Sequence, residues 1–253
     1  MTQLRGKTAL VTGASRGIGK AIATRLAADG VLVAVHYATN DQAAKQTVAE
    51  IEEAGGHAFP IRAELGGDGD VDALLAVLKE GLGGLPLDIL VNNAAIGVSA
   101  SFADTTPEEF DRLFAVNVKA PFFLVQRALG LLSDGGRVIN ISSAVTRIAL
   151  PELAYAMTKG AINALGHTLA QELGTRGITV NTVVAGPTAT EAMSWMKSSP
   201  EVEARVAAGN ALNRVGEPSD IADAVAFLAS YDARWITGHL LDVTGGCFLG
   251  PRF

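Results

Sequence analysis

Short runs of consecutive apolar residues alternate along the chain with longer stretches whose apolar positions recur every three or four residues. The runs KTALVT (7–12), VLVAVHY (31–37), HAFPIR (57–62), LDILVN (87–92), RVINIS (137–142), ITVNTVV (178–184) and HLLDV (239–243) predict strands. Between them, helical spacing is found up to Gly30, near 41–54, near 68–80, after Thr106, through YAMTKGAINALGHTLAQEL, and near 218–230. Thr106, Pro107 and Glu109 stand where an N-cap, a first helical residue and the return arm of a capping box belong. Strands apolar along their whole length suit a parallel sheet covered on both faces. The expectation is an α/β fold, a doubly wound and mainly parallel sheet of about seven strands with helices on both faces, forming one domain over 1–253. Only 186–212, rich in Thr, Ala and Met, breaks the rhythm and reads as an inserted substrate loop. In such sheets ligands bind beyond the carboxyl ends of the strands.

Composition narrows the classes. With 49% hydrophobic and 18% charged residues the chain can bury a large core, which excludes disorder. A net charge of −6 supplies no basic field for nucleic acid. The single cysteine excludes a disulfide framework and any cysteine-based zinc site, and Cys247 reads as a small buried hydrophobe. His36, His57, His167 and His239 lack metal-ligand spacing and read as surface or packing residues, so no metal is expected. No apolar run reaches the roughly 18 residues of a membrane span. The start Met1-Thr2-Gln3-Leu4-Arg5 has no signal-peptide core. No membrane association and a cytoplasmic location are therefore expected.

TGASRGIG (12–19) lies at the first strand–helix junction. There Gly13, Gly17 and Gly19 permit a tight turn and close approach to a pyrophosphate, with Ser15, Arg16 and Ile18 around it and a helix N-terminus behind. The spacing G-x-x-x-G-x-G differs from the usual dinucleotide fingerprint. The same residues also fit G-x-S-x-G, a hydrolase nucleophile elbow. An elbow on the first strand, with no oxyanion-loop strand before it, has the wrong topology for that chemistry.

Tyr155 and Lys159 stand at i and i+4, one helical turn apart on one face. A phenol titrates near 10, too high for efficient proton transfer at neutral pH, and a nearby ammonium would lower it. Ser142-Ser143, just past a strand, could hydrogen-bond the reacting oxygen. By itself Y-x-x-x-K is weak; its force comes from company.

In order, TGASRGIG, NNAA (92–95), Asn117 in VNVKAPF, ISS (141–143), YAMTK (155–159), AGPTAT (185–190) and RVGEPSDIADAVAFLAS…ITGHLLDVTGG (214–246) span nearly the whole chain. Together they make it resemble the short-chain dehydrogenase/reductase family, most nearly its β-ketoacyl-carrier-protein-reductase-like branch. The resemblance implies a Rossmann-type fold and NADP(H)-dependent reduction of a keto, oxoacyl-like substrate. It implies Tyr155 as general acid and Lys159 as the residue that binds the nicotinamide ribose and lowers the tyrosine pKa. A serine would polarise the substrate oxygen, and Asn117 would hold the water that links Lys159 to solvent. Anchored on the strand, the serine is Ser143; counted back from Tyr155 by the family's usual separation, it is Ser142. Strand geometry favours Ser143, because neighbouring residues point to opposite faces.

Family position also suggests the remaining cofactor contacts. NAD-dependent members carry an acidic residue at the end of the second strand, whereas Tyr37, Thr39 and Asn40 stand here with no carboxylate before Asp41. With Arg16 able to pair a 2′-phosphate, NADP(H) is preferred over NAD(H). Glu64 stands where an aspartate usually reaches the adenine. Asn93 and Ala94 line the ribose, and Pro187, Thr188 and Thr190 approach the carboxamide. Ala95 and Ala185 replace a more frequent Gly and Pro. The family further suggests a homotetramer or homodimer joined through the last helix and strand. Met193, Trp195 and Met196 read either as helix packing or as a lid over an apolar substrate. An alcohol or sugar dehydrogenase of the same family is the alternative within the class, and a catalytically silent NADP-binding sensor the alternative outside it.

Overall fold

A computed structural model describes residues 4–97, 101–149, 151–247 and 249; Met1–Gln3, part of the N-terminal reading, lie outside them. The strands are β1 (Thr8–Val11), β2 (Leu32–Tyr37), β3 (His57–Arg62), β4 (Leu87–Asn92), β5 (Leu132–Ser143), β6 (Thr179–Ala185) and β7 (Leu240–Val243). They form one sheet in the order β3-β2-β1-β4-β5-β6-β7, with every pairing parallel. The helices are α1 (Gly17–Ala28), α2 (Asp41–Glu53), α3 (Asp70–Leu82), α4 (Pro107–Phe114), α5 (Ala120–Ala128), α6 (Leu153–Leu173), α7 (Pro200–Ala208) and α8 (Pro218–Ala229).

Alternation along each strand supplies two cores. Ala9 and Val11 of β1, with Ile89 and Val91 of β4, pack beneath Ile22 and Leu26 of α1 and Val225 of α8. Leu10 and Leu90 point the other way, toward Leu74 and Leu78 of α3 and Leu124 of α5. Both faces of the central strands are thereby covered, while the edge strands β3 and β7 keep exposed positions.

Two elements depart from expectation. β5 begins at Leu132, ahead of the expected 137, because Leu132 pairs with Leu87 before the register shifts. The helix after Thr106 is also divided. Thr106 Oγ1 accepts the Glu109 N–H at 3.2 Å, and the helix then passes through a π turn over Ala115–Lys119 before α5. Segment 186–212 carries a short 3₁₀ stretch, Glu191–Lys197, followed by α7.

β1 lies between β2 and β4, so connections leave it in opposite directions. This switch point opens a crevice at the carboxyl ends of β1 and β4, the place where open α/β sheets bind ligands. Among the described residues no helix is long and apolar enough to cross a membrane, and no group of three or more His, Cys, Asp or Glu could hold a metal ion.

Candidate active site

The crevice is closed by a knot of hydrogen bonds between the turn after β1 and the turn after β4. Thr12 Oγ1 accepts the N–H groups of Asn93 (2.9 Å) and Ala94 (3.0 Å) and donates to the Val91 carbonyl. Asn93 Nδ2 donates to the Thr12 and Gly13 carbonyls at 2.8 and 3.1 Å. Gly13 has φ +64° and passes so near Ala94 that a Cβ would stand 3.0 Å from its Cα. A Cβ on Gly19 would overlap the Gly13 carbonyl. The glycines of 12–19 therefore serve a close backbone approach. Arg16, exposed, is the extended N-cap of α1 and makes no side-chain cap, so the first-turn amides are left for a ligand. That arrangement fits a pyrophosphate. Asn213 is the one non-glycine residue with positive φ among the described residues, so Ala95 occupies backbone space open to alanine.

Other expected cofactor residues fall around this turn. The Ser15 carbonyl accepts Thr47 Oγ1 at 3.2 Å, Ile18 packs on the core, and Thr190 lies over Gly17. Tyr37 is buried and donates its hydroxyl to Asp41 Oδ1 at 2.6 Å, while Lys45 pairs with the same carboxylate at 2.8 Å. Lys45 and Tyr37 hold the Asp41 carboxyl below the usual carboxylate range. Asn40 Oδ1 caps α2 by accepting the Ala43 N–H, and Thr39 is exposed beside it. Glu64 is drawn to Arg112 of α4 at 3.1 Å. Thr188 turns its hydroxyl to the Gly186 carbonyl, with Pro187 between them.

The second constellation lies over β5. The first turns of α6 carry Tyr155, half-buried, and Lys159, buried. Lys159 Nζ donates to the Ile141 carbonyl at 2.9 Å and lies 5.6 Å from the centre of the Tyr155 ring. The two serines diverge as strand geometry demands. Ser142 is buried and points its Oγ to the Lys159 carbonyl at 3.4 Å; Ser143, half-buried at the strand end, accepts the Val145 N–H. Asn117 sits within the π turn. Its Oδ1 accepts the Ile96 N–H, and its Nδ2 donates to the Ile96 carbonyl and to Thr158 Oγ1. A π turn inside a helix commonly marks a functional position.

Electrostatics corrects one expectation. The phenol of Tyr155 is not lowered: burial, with the Glu152 charge adding to it, pushes it up to about 12. Lys159 is itself pushed down to about 8 by burial. The physical reason is burial of the phenol, while the Lys159 ammonium turns to the Ile141 carbonyl beneath the ring.

His36 is the residue that spacing arguments passed over. It is buried on β2, its Nδ1 accepts the Gly13 N–H at 3.0 Å, and its Nε2 lies 2.9 Å from the Ala63 carbonyl. A carbonyl can only accept and an amide can only donate, so the ring is neutral with its proton on Nε2. Burial lowers its pKa to about 4. Below its ordinary value near 6.5 the unfolded chain takes up a proton that the native ring refuses until about pH 4. This ring's share of stability is thus complete above pH 6.5 and falls away toward pH 4, by about 3 kcal/mol. Thermal melts of wild type and His36→Asn should draw together as the pH is lowered from 7 to 4.5. A gap that stays constant would show that the ring is not held neutral.

A family model described as enoyl-(acyl carrier protein) reductase matches residues 13–247. Versicolorin reductase stcU of Emericella nidulans is 40% identical, over 97% of either chain. Among solved structures, the angucycline C-6 ketoreductase LanV with bound NADP is 52% identical, covers 98% of this chain and 97% of its own, and superposes with a TM-score of 0.93. The promiscuous reductase LugOII, which catalyses keto-reduction at C1 during lugdunomycin biosynthesis, is 52% identical over 96% of this chain and 98% of its own, with a TM-score of 0.92. With its motifs in order on an all-parallel sheet, the chain belongs to the short-chain dehydrogenase/reductase family and is an oxidoreductase.

Proposed function

We propose that the protein reduces a ketone borne on a large fused-ring polyketide to the secondary alcohol, with NADPH as its reductant. The observation that carries this reading is the pairing of Tyr155 and Lys159 over the end of β5, far along the chain from the dinucleotide turn yet, like it, at the carboxyl ends of the strands. Bound NADPH supplies the hydride. Tyr155, protonated at neutral pH because its pKa stands near 12, donates its proton to the oxygen that becomes the alcohol. Ser143 orients that oxygen, since Ser142 is committed to the Lys159 carbonyl beneath α6. Lys159 holds the nicotinamide ribose, and Asn117, in the π turn, lines the route by which the proton is replaced.

Substrate class rests on two supports. LanV is described as an angucycline C-6 ketoreductase, LugOII as a reductase that catalyses keto-reduction at C1 during lugdunomycin biosynthesis, and the Emericella nidulans relative as a versicolorin reductase. Exposed apolar side chains, among them Leu153, Met157, Met193 and Trp195, also stand on the elements after β5 and β6. Met196 is packed inward, so the Met–Trp cluster divides between anchor and exposed surface. A cavity of about 510 Å³ is lined by Pro187, Thr188, Ala211 and Leu212 of segment 186–212. Loss of NADPH absorbance with a panel of fused-ring aromatic ketones, against oxoacyl thioesters and simple alcohols, tests the reading. Turnover confined to alcohols with NADP⁺ would overturn it.

Arg16 provides the 2′-phosphate contact, with Asn40 Nδ2 and Thr39 as neutral donors and Asp41 neutralised by Lys45. Arg16→Ala should weaken NADPH about ten- to a hundredfold, the worth of a charge-assisted bond, and leave NADH unchanged. Parallel fluorescence titrations decide it; equal losses for both cofactors would remove Arg16 from that role. We also read α8 and β7 as the homo-oligomer interface, because β7 is a sheet edge and Phe227, Tyr231 and Trp235 beside it are exposed. Light scattering of wild type and Trp235→Glu would show a smaller assembly for the variant, or refute the assignment.

A further inference from the structure

Gly13 faces two ways. Its carbonyl is held by Asn93 Nδ2, whereas its N–H points inward to His36 Nδ1. The next residue is tied to the same histidine, because the Ala14 N–H donates to the His36 carbonyl at 2.7 Å. On its far side the His36 ring is anchored by the Ala63 carbonyl, one residue past the end of β3. A single buried side chain thus spans from the turn after β1, across β2, to the chain leaving β3. No other ring atom is available for ligand or metal, since both nitrogens are engaged.

We infer that His36 is a positioning residue for the cofactor: its Nδ1 fixes the Gly13 peptide, and through it the orientation of the following amides that receive the pyrophosphate. The inference rests on the reading of 12–19 as the dinucleotide turn. Gly13 has φ +64° and no side chain, so the plane of its peptide is not set by sterics. Two bonds set the Thr12–Gly13 peptide, one at each end: the Gly13 N–H donates to His36 Nδ1, and the Thr12 carbonyl accepts from Asn93 Nδ2 at 2.8 Å and is the only group the Asn93 bond constrains there. If the N–H were released, the Thr12–Gly13 peptide would be held at its carbonyl alone, and the turn, still tied by the Ala14 N–H to the His36 carbonyl, would present Ser15, Arg16 and Gly17 less firmly fixed. The cost would appear as lost affinity for NADPH, because an unanchored turn must be ordered at the moment of binding.

The two imidazole nitrogens can be separated by substitution. An asparagine amide oxygen overlays Nδ1, so His36→Asn keeps the acceptor for Gly13 and gives up Ala63. A glutamine amide reaches the place of Nε2, so His36→Gln keeps Ala63 and gives up Gly13. Each variant loses one bond of the pair, and the two should melt at similar temperatures. NADPH binding to the full-length protein, followed by fluorescence titration, should be about tenfold weaker in His36→Gln, the worth of one hydrogen bond, and within about twofold of wild type in His36→Asn. Equal affinities in the two variants, or affinities that merely follow the melting temperatures, would overturn the inference.

Amide hydrogen exchange on the wild type gives a second reading that needs no variant. The Gly13 amide should be protected without NADPH and unchanged by it, while the amides of 15–18 gain protection when NADPH is added. A Gly13 amide that gains protection only with NADPH would refute the inference. Gly19→Ala distinguishes the two levels of the argument. If it binds NADPH as wild type does, the turn is not the cofactor's seat. If it loses NADPH while His36→Gln retains it, the role of His36 alone fails.

Discussion

Replacing Tyr155 with phenylalanine should lower turnover about a thousandfold while leaving NADPH affinity within about twofold, because a general acid in this position contributes roughly a hundred- to ten-thousandfold. The change removes one oxygen and leaves the ring, its packing and its contact with Lys159 in place. Nothing else on α6 can replace the proton. Lys159 is directed to the Ile141 carbonyl, and the hydroxyl of Thr158 is given to the Tyr155 carbonyl at 2.7 Å. The direction of the pKa shift adds a pH dependence. With the phenol near 12, the acid form is present throughout the neutral range, so ketone reduction should be flat with pH there. Alcohol oxidation, which needs the phenolate as base, should rise steadily with pH over the same range. Steady-state rates in both directions, with NADPH binding measured separately, decide the matter. A phenylalanine variant that retains a tenth of wild-type turnover would sink the proton-donor role.

Gly19→Ala is expected to damage both stability and cofactor binding. Its Cβ would overlap the Gly13 carbonyl oxygen and stand 2.5 Å from Asn93 Nδ2, and neither neighbour is the free end of a flexible chain. Asn93 Nδ2 already binds the Thr12 and Gly13 carbonyls, so moving it breaks two bonds that join the turns after β1 and β4. Overpacking together with these losses amounts to about 3 kcal/mol of stability, and the displaced turn should bind NADPH about a hundredfold more weakly or not measurably. Calorimetry and a fluorescence titration read the two effects. A variant that melts with wild type would mean that the turn relaxes freely.

Much of this arrangement was legible in the chain. Apolar runs marked all seven strands, most plainly β1, β2 and β4–β6, which are buried almost throughout, and less so β3 and β7 at the edges, which are partly exposed. The motifs around Asn117, Tyr155 and Lys159 were legible through their order along the chain. What escaped depends on partners distant in sequence. The start of β5, Leu132 to Gly136, is polar and reads as a turn; its extended form follows from pairing with Leu87. The π turn at 115–119 has no residue signature, since one extra residue per turn changes the path of a helix without changing its composition. Glu64 gave no hint of Arg112, and His36 none of Gly13 and Ala63, because those contacts exist only after β2, β3 and α4 have docked. The upward shift of Tyr155 was missed for the same reason. A lysine one turn away was visible in sequence, but the burial that outweighs it was not.

The place of β1 at the switch point has a consequence in time. Thr8 meets Asp88 across 80 residues of chain, and Thr12 reaches Asn93 across 81. The crevice is therefore finished only when β4 has been delivered and docked beside a strand formed much earlier. Closures of that length are slow to find. NADPH meets a folded seat and adds nothing to the search for it, so what it contributes to the lifetime of the protein is a slower exit from the native state.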